Sequence, residues 1–138
     1  MSIMSEFRRL LGDNITVGNA VIVFIPNKDV FALDIHGCGP AVCTLFDLGH
    51  CVLLRCNLKI DEYVFQQNEE DALFYCNIIN RKIKWIKSIL NEGYKLELKG
   101  EALTGKDVWY NDILKLLEEY VACATFLYDD CCTKYGEF

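Results

Sequence analysis

An α+β fold, with a mostly antiparallel sheet of about five strands flanked by helices, follows from three features of the chain. In the first half, short apolar runs rich in Val, Ile and Phe are separated by tight-turn residues, as hairpin strands require. From Tyr94 to Leu103 the chain alternates cleanly, with Tyr94, Leu96, Leu98 and Ala102 on one side and Lys95, Glu97, Lys99 and Glu101 on the other. Two stretches, starting near Asn68 and Lys106, repeat apolar residues at three-and-four spacing, which marks helices with one buried stripe. The predicted order is helix, three or four strands, helix, two strands, helix.

The elements follow in sequence. Ser5 to Leu11 reads as a short amphipathic helix, with Phe7, Leu10 and Leu11 on one face and Arg8 and Arg9 turned away; Gly12 and Asp13 end it. Ala20–Ile25 and Val30–Ile35 form a hairpin around Pro26–Asp29. Both strands are apolar on both faces, which predicts a central position covered by helices. After the Gly37–Pro40 break come strands near Ala41–Phe46 and Cys51–Leu58, and Tyr63–Gln66 reads as a short edge strand. A helix beginning at Asn68 has Glu69, Glu70 and Asp71 in its first turn, where carboxylates suit the helix dipole. Its buried stripe is Ala72, Tyr75, Cys76, Ile79 and Ile83. A strand from Lys82 to Leu90 slips phase at Trp85–Ile86, the pattern of a bulge, and turns at Asn91–Gly93 into the alternating strand. Thr104–Asp107 has the form of a capping box opening a helix from about Lys106 to Cys131, with a wide apolar face through Tyr110, Ile113, Leu114, Leu117, Tyr120, Val121, Ala124 and Tyr128.

Composition narrows the function. A chain of 138 residues is expected to form one domain with a core that needs no staples. The net charge of -6 argues against nucleic acid or an anionic membrane as a partner, since both attract clustered Lys and Arg. No apolar run approaches the ~18 residues of a membrane span, and no stretch has the form of a signal peptide, so the expected location is the cytoplasm. In that compartment the 8 cysteines are expected to be reduced and to act as small buried hydrophobes.

The constellations that could carry chemistry are few. His36, Cys38, Cys43, His50, Cys51 and Cys56 offer enough soft ligands for zinc. Their spacing is poor, however, because residues five apart on a strand point to opposite faces. A thiol–imidazole dyad would have to join Cys38 or Cys51 to one of the two histidines, and no motif marks it. Cys131–Cys132 is a vicinal pair near a helix end, while Cys76 and Cys123 read as core. The carboxylate pairs Glu69–Glu70, Glu118–Glu119 and Asp129–Asp130 are adjacent on helices and diverge, so they make poor acid–base couples. Asn77 and Asn80 lie on one side of the second helix, where an amide can satisfy loop backbone. No catalytic residue, cofactor or metal ligand is nominated. Trp85 and Trp109 are large apolar groups expected in the core, with an interface as the alternative; with Tyr120 and Tyr128 of the last helix they are the candidate dimer or partner surface.

The second half of the chain resembles the YbjN-type family of bacterial sensory transduction regulators, whose fold is similar to that of type III secretion chaperones. The residues carrying the resemblance are Asn77-x-x-Asn80, Lys84–Lys87, the Gly93 turn, Leu96-x-Leu98, Leu103–Gly105, and the final helix through Tyr120 and Val121. It implies a small cytoplasmic α+β protein, often dimeric, that binds another protein or a peptide and uses no cofactor. The expected function is therefore a chaperone-like or regulatory binding module acting as a homodimer. The alternative is a cysteine-centred metal or redox protein built on residues 36–56.

Overall fold

Alternation of buried and exposed side chains runs through nearly every strand, and it sorts the molecule into a covered face and an uncovered one. The computed structural model describes residues 2–58, 62–83, 85–92, 95–103 and 109–136. The expected capping box, the Gly93 turn, Lys84 and Tyr94 lie outside these residues. The elements are α1 (Ile3–Leu11), β1 (Thr16–Val17), β2 (Ala20–Phe24), β3 (Val30–Ile35), β4 (Gly39–Asp47), β5 (Cys51–Asn57), α2 (Glu62–Gln67), α3 (Glu69–Lys82), β6 (Ile86–Leu90), β7 (Leu96–Leu103) and α4 (Trp109–Tyr135). The strands form one antiparallel sheet in the order β1-β2-β3-β4-β5-β7-β6.

The fold class matches the sequence reading, with seven strands instead of about five. The strand that the sequence reading lacks is β1, whose two residues are too short to show a pattern. The segment read as an edge strand at Tyr63–Gln66 is helical, as α2. Four residues cannot separate the two periods. The strand expected from Lys82 begins at Ile86, because Lys82 still belongs to α3; the slip at Trp85 is a turn and not a bulge.

The core lies between the covered face and the helices. Ile22, Phe31, Leu33, Leu54, Leu96 and Leu98 from the strands meet Phe7, Tyr75, Ile113, Leu117 and Tyr120 from the helices, all essentially without exposure. Phe7 of α1 joins them at one end, its ring 5.7 Å from Phe31 and 6.1 Å from Trp109. Tyr120 donates a hydrogen bond to the Leu54 carbonyl at 3.1 Å, fixing α4 across the middle of the sheet. α3 is clamped to α4: the Tyr75 hydroxyl donates to Asp130 at 2.5 Å, Tyr135 donates to Asp71, and Lys134 pairs with Asp71 at 3.5 Å. The Tyr135 hydrogen bond, helped by Lys134, holds the Asp71 carboxyl below its usual range.

Asn80 closes the edge of the sheet. Its amide donates to the Ser88 carbonyl at 3.0 Å and accepts from the Ser88 N–H at 2.6 Å. Asn80 takes up both main-chain groups of Ser88, which marks Ser88–Leu98 as a non-hydrogen-bonded pair whose Ser88 groups point to the free edge of β6. An unpaired edge is a template for unwanted pairing, and here one side chain occupies it. The structural role expected for Asn80 is thus found, while Asn77 is exposed. Asn80→Ala strands two partly buried backbone groups and is expected to destabilise the fold by about 2 kcal/mol, read as a lower urea midpoint.

Candidate binding surface

The helices' buried residues all pack to one side of the sheet, and the opposite side has no covering layer among the described residues. The expectation that β2 and β3 are covered on both faces is therefore corrected: Val21 and Val23 are exposed. Register builds this open face row by row. Val23, Ala32 and Val42 stand side by side across β2, β3 and β4, with Asn57 next. Two residues along, Val30, Thr44, Arg55, Lys99 and Lys87 form the next row. Beyond it Phe46, Leu53 and Glu101 form a third, and Leu103 lies opposite Cys51.

The middle row sets three cations directly opposite one another on β5, β7 and β6, an arrangement that repels itself. Glu97 compensates for two of them. Although it belongs to the open face it is only 6% exposed, with Arg55 Nε at 3.1 Å and Lys99 Nζ at 3.7 Å. The Arg55 guanidinium also lies over the Phe46 ring at 5.1 Å. The face is thus mostly apolar across β2, β3 and β4 and charged across β5, β7 and β6. It can dock protein surface by burial and offer Lys87 as an outlying charge. Sequence reading missed it, because alternation names the two faces of a strand without saying which one a helix covers.

The nominated surface residues divide. Trp85 stands 75% exposed in the turn before β6, which corrects its core reading. Trp109 and Tyr120 are packed inside the chain, at 6% and 0%, and offer nothing to a partner; the core reading of Trp109 holds, and the stripe that nominated Tyr120 is the core stripe of α4. Tyr128 is half-buried beside Cys38 and Ala124.

The cysteine-rich segment is dispersed by the same pleat. Cys43 and Cys56 face each other across β4 and β5 on the covered side, while Cys51 lies on the opposite face from Cys56. His36 and His50 are exposed in turns. All 8 thiols are free, and six of them are buried. Among the described residues no group of three or more His, Cys, Asp or Glu side chains is placed to hold a metal ion. Burial and the adjacent Cys56 thiol push the Cys43 thiol well above its ordinary range, and burial pushes Cys123 up to about 12. Such thiols stay protonated at neutral pH, which makes them poor nucleophiles. No described helix is long and apolar enough to cross a membrane.

No protein family and no curated protein matches the chain by sequence. Among solved structures it is similar to the crystal structure of YbjN from E. coli, a protein assigned only provisionally as a transcription regulator. The TM-score is 0.60 at 14% identity, over 96% of this chain and 93% of that one. At that identity the likeness speaks for the fold alone, and it extends the resemblance from the second half to the whole length. The chain has the YbjN-like fold.

Proposed function

We propose that this protein is a non-catalytic, cytoplasmic binding module, chaperone-like or regulatory, that works as a homodimer and receives a protein or peptide on the open face of its sheet. The observation that carries the reading is the uncovered face itself, with Val21, Val23, Val42, Phe46 and Leu103 exposed on it. Scattered exposed hydrophobes are ordinary, but adjacent rows of them on a rigid sheet mark a docking surface. The buried, protonated thiols of Cys43 and Cys123 and the outward histidines support a role without thiol or metal chemistry.

The test is capture by the native protein and by Val23→Asp/Val42→Asp, whose two side chains already face water. The native chain is expected to retain a protein that the variant loses, while both unfold at the same urea concentration. Identical recoveries from two equally stable proteins would contradict the reading.

A further inference from the structure

One helix face is left unused by the core and by the open sheet. Along α3, Glu70, Leu73, Phe74, Asn77 and Arg81 are all exposed and follow one another at three-and-four spacing, so they form a single stripe about 16 Å long. Leu73 and Phe74 at its middle are 47% and 56% exposed. Its N-terminal end is acidic, with Glu69 beside Glu70, and its C-terminal end is basic, with Lys82 beside Arg81. Next to it runs an almost wholly apolar groove of about 190 Å³ between α3 and α4, lined by Ile78, Ile83, Ala122 and Phe126 among others. Phe126, on its far wall, is 45% exposed.

We infer that this stripe is the site where a second copy of the chain docks, with the two α3 helices antiparallel about a two-fold axis near their midpoint. An acid–apolar–base stripe read backwards is base–apolar–acid, so its best complement is itself reversed. In a two-fold interface every contact occurs twice. Placing Glu70 against Arg81 of the second copy then sets Phe74 against Asn77 and Leu73 against Ile78. The last pairing brings Leu73 to the groove, which supplies the hole for that knob. The open sheet face lacks this self-complementarity, since reversing its central row sets Lys87 and Lys99 against Val30 and Thr44, which offer no countercharge. This inference rests on the homodimer part of the proposed function and adds where the dimer forms.

The experiment is sedimentation equilibrium of the full chain and four variants at low salt, with urea midpoints as controls. The native protein is expected at twice 15.8 kDa. Phe74→Glu is expected to weaken dimerisation by at least about tenfold. Glu70→Arg and Arg81→Glu are each expected to weaken it about fivefold, because each reversal turns both symmetry-related pairs repulsive. Glu70→Arg/Arg81→Glu restores both pairs in swapped form and is expected to return within about twofold of native affinity. A native dimer indifferent to Phe74→Glu, or a double variant as weak as the sum of its singles, overturns the interface while leaving a homodimer standing. A native protein that stays monomeric at high concentration overturns the homodimer as well.

Discussion

Gly100→Val is expected to destabilise the protein by about 4 kcal/mol or more, a large share of the 5–15 kcal/mol that holds a domain of this size together. Gly100 is on the covered face of β7, opposite Leu54 and Ile86, where α4 crosses the sheet. A β-carbon there would lie 2.8 and 3.0 Å from the two Leu116 methyls and 3.1 Å from the Tyr120 hydroxyl. Leu116 can swing aside for one methyl, so Gly100→Ala is expected to cost only about 1–2 kcal/mol, part of it offset by reduced freedom of the unfolded chain. Valine adds two more methyls against Tyr120, whose hydroxyl is committed to Leu54, and α4 has to lift. A double-mutant cycle with Leu116→Ala checks the cause. Room made at Leu116 should make Gly100→Ala nearly free, whereas equal costs in both backgrounds would place the strain elsewhere.

Alkaline pH is expected to produce the second large effect. Cys43 and Cys123 have their folded pKa values raised, Cys123 to about 12, chiefly by burial. For an acid with a raised folded pKa, the unfolded chain ionises first, near the ordinary thiol value of about 8.5. Above that pH the unfolded state binds fewer protons than the native state, so stability falls as pH rises. Their contribution is whole below about pH 8.5 and is lost progressively toward the folded values. At pH 9.5 Cys123 costs about 1.4 kcal/mol, and Cys43 adds to the loss in the same direction. Tyr120, also raised by burial, extends the loss above pH 10. Urea titrations at pH 7.5 and 9.5 under reducing conditions measure this directly, and Cys123→Ala should flatten the slope. Equal stability at the two pH values would mean that these thiols are not buried as described.

How much of this was legible in the sequence depends on which physical signal each feature leaves. Strands β2, β3, β4, β5 and β7 and helices α3 and α4 announced themselves, because amphipathic periodicity is written by the same burial that forms them. The inward set Leu96, Leu98 and Ala102 was read correctly, and so was the core role of Cys76 and Cys123. What failed was short or tertiary. Two residues at β1 carry no period, and the segment at α2 is too brief to separate helix from strand. The core reading of Trp109 holds and its interface alternative does not, while Tyr120 is a surface candidate in sequence yet sits on the core stripe of α4; a wide stripe does not say how much of it the chain covers itself. The open face was invisible for the complementary reason. Val23 and Val42 look like core residues in sequence, and only the placement of every helix on the other side exposes them. The cation row and its buried Glu97 arise from the register among β5, β7 and β6, which no local pattern encodes.

The central claim is that the uncovered sheet face is the working surface. Hydroxyl-radical footprinting of the native protein, alone and saturated with the protein it captures, tests it most directly. Modification of Phe46, Val42 and Leu103 is expected to fall severalfold on complex formation, while that of the exposed α1 residues stays constant. Unchanged modification of those three residues in a saturated complex would contradict the account.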